Sequence, residues 1–208
     1  MAKRLKIAYV LGAFPVLSET FIGNEMIALL ALGYEIDPIV LSAKETVGQP
    51  IDRELAAQLR RMRSIKSFET LQTILLSPIG SWRAWRFARS LTGMRPRSAL
   101  WYGAKVAAIC RRLDCEHVHA HFAHSATTIA IVAARMVGRS VSFTSHGYDL
   151  YGESSDIPQK LMAANFAVAV CKEMAEHANT VVILEPADKP VMGAIAGSVI
   201  DDHTFSVR

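Results

Sequence analysis

Three clusters hold the residues best suited to chemistry. The first is His117-Val118-His119-Ala120-His121-Phe122, with His124 just beyond. On a strand, alternation sends the three histidines to one face and Val118, Ala120 and Phe122 to the other. Three imidazoles on one face invite a metal. Yet a strand rise sets His117 and His121 ~13 Å apart, too far to share one zinc at about 2 Å. Only a neighbouring pair could chelate, with help from elsewhere. The expectation is therefore no metal, and histidines that line a cleft or are satisfied in the core. The second cluster is Phe143-Thr144-Ser145-His146-Gly147-Tyr148-Asp149. His146 could hydrogen-bond a ligand hydroxyl or move a proton near neutral pH. Gly147 permits close backbone approach, while Ser145 and Asp149 could simply hold a turn. The third is Gly12-Ala13-Phe14-Pro15-Val16-Leu17-Ser18-Glu19-Thr20-Phe21. Gly12 allows a tight turn, and the helix that follows offers free N–H groups. Ser18 can cap that helix and Glu19 suits its positive end. One glycine here is not the three of a dinucleotide fingerprint.

Strands must hold these clusters at their carboxyl ends. Leu5 to Leu11 is an apolar run without alternation, as in a strand buried on both faces. Glu19 to Leu32 has helical spacing and Gly33 stops it. Tyr34 to Leu41 is a second strand, which completes a crossover unit of about 37 residues. Basic helices are expected over Arg53 to Lys66 and Ser81 to Leu91, and another helix over Ser98 to Leu113. The strand–helix rhythm then returns. His117 to Phe122, Ser140 to Thr144, Phe166 to Val170 and Thr180 to Leu184 are strands. Ser125 to Val137 (stopped by Gly138), Pro158 to Ala164 and Lys172 to His177 are helices. Strands alternating with helices define a doubly wound parallel α/β sheet.

Composition excludes several classes. With 208 residues and 51% hydrophobic content, one sizeable core is expected. No apolar run reaches membrane-spanning length. The basic start, Met1 to Lys6, leads into a stretch too short for a signal peptide, so a cytoplasmic protein is expected. Cys110, Cys115 and Cys171 have neither metal spacing nor an even count, and are expected to be free thiols. Residues 1–112 carry net +9 and residues 113–208 net −5, which together give the overall +4. That split points to an anionic partner touching the first half.

The richest basic stretch is Trp82-Arg83-Ala84-Trp85-Arg86-Phe87-Ala88-Arg89. Trp and Arg at helical spacing suit a helix lying on an anionic bilayer. They equally suit tryptophans packed inward with solvated arginines. No nucleic-acid motif accompanies them, and nucleic acid is not expected as a partner.

The loop Phe14-Pro15-x-x-Ser18-Glu19-Thr20-Phe21, the strand end His119-Ala120-His121-Phe122 and the loop Thr144-Ser145-His146-Gly147-x-Asp149 resemble family 4 glycosyltransferases. The likeness is to enzymes that build colanic acid and other exopolysaccharides, and it spans roughly residues 4 to 180. Ala164 to Cys171 resembles that family's strand ending in serine, with Cys171 in the serine position. The resemblance implies the N-terminal half of a GT-B fold, a Rossmann-like domain expected over residues 1–184, with 185–208 as a tail. It implies retaining transfer from a nucleotide-diphosphate sugar, without bound metal or cofactor, to a sugar or lipid-linked saccharide. By motif position, His146 would stand near the transferred sugar as the catalytic residue. Gly12, Ala13, Phe14, Ser18, Glu19, His121, Gly147 and Asp149 would border acceptor or phosphate groups. Lipid-linked acceptors would favour peripheral membrane contact through Trp82, Arg83, Trp85, Arg86 and Arg89. The family's nucleotide contacts come mainly from a second Rossmann-like domain, for which the residues after Ala178 leave no room. Weak or no activity of this chain alone is therefore expected, with a separate C-terminal half as partner. The alternatives are a non-catalytic membrane-surface or subunit-binding module, and a metal-assisted hydrolase built on His117, His119 and His121.

Overall fold

A computed structural model of the chain describes residues 5–42, 53–146, 149 and 156–170. Among the described residues, six strands, β1 (Lys6–Leu11), β2 (Glu35–Val40), β3 (Arg60–Arg61), β4 (His117–His121), β5 (Ser140–Ser145) and β6 (Phe166–Ala169), form one sheet in the order β3-β2-β1-β4-β5-β6. Every pairing is parallel. The helices are α1 (Thr20–Ala31), α2 (Arg53–Ala57), α3 (Ser67–Leu75), α4 (Pro78–Arg89), α5 (Pro96–Leu113), α6 (Ser125–Val137) and α7 (Ile157–Ala163). This is a Rossmann-like, doubly wound α/β domain.

Strand alternation divides the core in two. Ala8 and Val10 of β1, Val118 and Ala120 of β4, and Val141 and Phe143 of β5 join α4, α5 and α6 in the larger cluster. Ile7, Tyr9 and Leu11 turn to the other face, where α1 supplies Ile22, Met26 and Leu29. Gly33 and Gly138 end their helices at φ +92 and +67, conformations that favour glycine.

The segment 53–66 is not one helix. It divides into α2, the edge strand β3 and a 3-10 turn at Met62–Ser64, and helix resumes at Ser67. The open edge of β2 takes up the backbone of Arg60 and Arg61 against Ile39 and Val40, so sheet pairing overrides local helical preference. The exposed arginines on that short edge discourage further strand addition. Cys110 and Cys115 are buried free thiols. The expected helix Lys172 to His177, the strand Thr180 to Leu184, Cys171 and Gly147 lie outside the described residues.

Candidate functional site

β1 and β4 are neighbours, but their crossovers leave in opposite directions, through α1 to β2 and through α6 to β5. In open parallel sheets that reversal opens a crevice at the carboxyl ends of the strands, where ligands bind. Register sets Tyr9 beside His119, and α1 lays Glu25 over both. Glu25 Oε1 accepts the Tyr9 hydroxyl at 2.6 Å and lies 3.4 Å from His121 Nε2 and 3.7 Å from His119 Nε2. His117, His119 and His121 are all buried.

A hydroxyl ladder on β5 holds two of these rings. Ser142 Oγ lies 2.7 Å from both His117 Nε2 and His119 Nδ1, and Ser140 Oγ lies 2.8 Å from His117 Nδ1. A hydroxyl has one proton, so Ser142 donates to one ring and accepts from the other. With both rings protonated at Nε2, Ser140 and Ser142 each donate to an Nδ1, and the ring contacts to both hydroxyls are matched. His119 then directs its N–H toward Thr144 Oγ1, at 3.2 Å, and Glu25. Burial drives the His117 pKa down to about 3. The same burial takes His119 to about 3, against the opposing pull of Glu25. Burial also pushes the Glu25 carboxyl up, but the His121 hydrogen bond and charge, His119 and the Tyr9 hydroxyl outweigh it and bring it to about 2. The result is a buried carboxylate beside the neutral His119 ring and within 3.4 Å of His121.

His146 follows β5 and forms the outer edge of the cluster. Its Nε2 lies 3.3 Å from His121 Nδ1, and its ring packs against Phe21 and Phe122 with centroids 4.7 and 4.6 Å away. Burial first, then His121, lowers its pKa to about 4, against Asp149 and Glu25. The ring is therefore neutral near neutral pH. It is suited to hydrogen bonding and orientation, and less to the proton shuttling that its residue type alone allows. Asp149 is fully buried and clamps the turn. It accepts the His146 backbone N–H at 2.8 Å and faces His124 Nε2 at 3.0 Å. Asp149 thus fixes the start of the turn after β5 and the position of the His124 ring.

Other expected residues fall differently. Phe122 has φ +66, an uncommon value for a non-glycine residue. That twist takes its ring off the Val118 and Ala120 face and sets it beside Phe21 and His146. Phe14 is buried in the α1-side core, while Ala13 is half-buried, and Gly12 and Ser18 are exposed. Gly12 has no positive φ, and a Cβ there would meet nothing within 4 Å. The chain's own packing therefore does not require glycine at that position. The N-cap of α1 is Glu19, not Ser18, and no side chain caps it. Glu19 lies in the field of His121, and burial raises its pKa against that field.

Tyr9 and Glu25 belong to this site, although sequence motifs pass over them. Their signals were a hydroxyl inside an apolar strand and a carboxylate next to Met26 in the buried stripe of α1. Among the described residues, Glu25, His119 and His121 can offer metal-ligand atoms within 4.8 Å of one another.

The basic helix is apart from this site, on the other face of the sheet. Trp82, Arg83, Arg86 and Arg89 of α4 are exposed and Trp85 is half-buried. Arg83 and Arg86 join Arg135 of α6 around a cavity of about 420 Å³ whose lining, among the described residues, includes no carboxylate. Burial, then Arg83 and Arg86, lower the Arg135 pKa. No helix among the described residues is long and apolar enough to cross a membrane.

No known protein family matches the chain, and no curated protein matches it. Fold and site together define a Rossmann-like domain with an imidazole–carboxylate cluster at its switch point.

Proposed function

We propose that this domain is the acceptor-binding half of a retaining, nucleotide-sugar-dependent glycosyltransferase of polysaccharide biosynthesis. The observation that carries this reading is the cluster of His146, His121 and Glu25 at the β1–β4 switch point, with Phe21 half-exposed over it. The neutral His146 imidazole beside the Phe21 ring offers a saccharide a directional hydrogen bond and a face to pack on. In this reading His146 orients the reacting sugar. His121 and Asp149 hold His146, and Glu19 borders the mouth. A second Rossmann-like domain facing the crevice would bind the nucleotide, and the transfer itself would require no metal.

Saturation-transfer NMR on the full chain tests the assignment of sides. A short-chain polyprenyl-diphosphate-linked sugar is expected to receive magnetisation, and free UDP or GDP far less. Nucleotide binding without saccharide binding would reverse the assignment.

One observation favours a second reading, a module that docks on a membrane surface at its cytoplasmic face. Phe68, Leu71 and Leu75 of α3, then Leu76, then Ile79 and Trp82 of α4, are all exposed. They adjoin the arginine-lined cavity through Arg86, whose guanidinium stacks over Trp82 at 4.9 Å. Apolar side chains beside several arginines match an anionic bilayer. In vesicle sedimentation, Trp82→Ala with Arg86→Ala is expected to abolish binding to phosphatidylglycerol vesicles, whereas Trp85→Ala, half-buried, changes it less. Equal sedimentation of wild type and double variant would exclude this surface.

A further inference from the structure

We infer that Glu25, His119 and His121 form a binding site for a divalent transition-metal ion, zinc by donor type. This goes beyond the proposed glycosyltransferase role and does not depend on it. Two histidines and one glutamate constitute a recognised zinc donor set. Bonds of about 2.0–2.1 Å in a tetrahedron set ligand atoms roughly 3.3–3.4 Å apart. Glu25 Oε1 lies 3.4 Å from His121 Nε2 and 3.7 Å from His119 Nε2, close to that tetrahedral edge, and all three ligand atoms lie within 4.8 Å of one another.

The burial of His121 also points to a ligand. His121 is 1% exposed, and its Nε2 has only the long 3.4 Å approach to the Glu25 carboxylate, short of a well-formed hydrogen bond. A buried polar atom without a hydrogen bond is costly, and an ion at that position would satisfy it.

The surroundings also provide what metal ligands need behind them. The other ring nitrogen of each histidine already has a polar neighbour, Ser142 Oγ at 2.7 Å for His119 and His146 Nε2 at 3.3 Å for His121. Tyr9 steadies the carboxylate at 2.6 Å. Such outer contacts fix ring orientation and tautomer at metal centres. Ligation through His119 Nε2 would move that ring's proton to Nδ1, which then donates to Ser142. Ser142 would turn its own proton toward His117 Nε2, and His117 would donate from Nδ1 to Ser140. Each ring stays neutral throughout. An ion here would tie α1 to β4 across the crevice.

The test uses the full chain, stripped with chelator and titrated with Zn²⁺ and Co²⁺. One ion per chain is expected, with the intense visible bands of four-coordinate Co²⁺. Glu25→Gln and His121→Asn are each expected to weaken binding by about tenfold or more, whereas His124→Asn leaves it unchanged. X-ray absorption of the zinc-loaded wild type needs no substitution and is expected to register two imidazoles and oxygen. The absence of stoichiometric binding overturns the inference. So does affinity indifferent to Glu25→Gln and His121→Asn, or an absorption spectrum without imidazole. None of these readouts uses a saccharide, so they leave the glycosyltransferase reading to its own test.

Discussion

From pH 6.5 downward this fold is expected to lose stability steadily, with most of the loss complete before pH 2. His117 and His119 are held at about 3 when folded, against 6.5 as ordinary imidazoles. Between those values the unfolded chain binds protons that the folded chain refuses. Stability therefore rises with pH across that window and falls as the solution is acidified. Glu25 acts in the same direction lower down. Its carboxyl is at about 2 folded, against 4.5, so its contribution is present above 4.5 and lost as pH falls through 2. His117 is the cleaner case, because burial alone sets its shift. At about 1.4 kcal/mol per unit, two such imidazoles forfeit roughly 5 kcal/mol two units below their ordinary value, as much as many domains possess. Urea unfolding followed by circular dichroism at pH 7.5, 6, 5 and 4.5 is expected to show midpoints falling at each step. His117→Gln should flatten the slope. A midpoint constant from 7.5 to 4.5 would mean that the histidines are not held neutral in the folded core.

Replacing either of two helical glycines by alanine is expected to destabilise the domain, against the usual helical preference. Alanine in a helix interior ordinarily gains about 1 kcal/mol over glycine. Here α4 and α5 both cross α6 where a Cβ has no room. At Gly80 it would lie 2.7 Å from the Met136 carbonyl oxygen, 2.8 Å from that of Arg135 and 2.9 Å from Met136 Cα. All three are backbone atoms, so α4 must move off α6. At Gly103 the Cβ would strike Val132 Cγ1 and lie 2.7 Å from Val132 Cβ. Valine has one strongly preferred rotamer in a helix and cannot turn away. Overpacking of this kind costs about 1–3 kcal/mol. Denaturant unfolding should give both variants lower midpoints. Val132→Ala should recover part of the Gly103→Ala loss, while no side-chain truncation should rescue Gly80→Ala. A gain in stability for either glycine variant would contradict this close helix crossing.

The elements that gave clear sequence signals were those whose pattern and neighbours agree. Continuous apolar runs marked β1 and β4, and Gly33 and Gly138 marked helix ends. Alternation placed the three histidines together. The segment 53–66 misled because the sheet edge it joins, β2, lies elsewhere in sequence. Phe122 misled because its left-handed backbone breaks the alternation that the strand establishes. Ser18 was a plausible cap, but the helix begins one residue later. Of the site, the histidines were legible, since their types and spacing are unusual. Glu25 was not, because one carboxylate on an amphipathic helix looks like any other until α1 is docked over β4. The tuning of His146 likewise depends on Phe21 and Phe122, which only the fold brings to its ring.

The proposed role centres on His146 as the group that meets the saccharide, and imidazole NMR tests it most directly. In the full chain, histidine ring resonances should be followed while a short-chain polyprenyl-diphosphate-linked sugar is added. Shifts are expected to concentrate at His146 and its neighbour His121, with at least tenfold weaker binding in His146→Ala, on the order expected for losing a positioned hydrogen bond to a ligand. Saccharide binding that leaves both rings unmoved, or that His146→Ala does not weaken, would contradict that role.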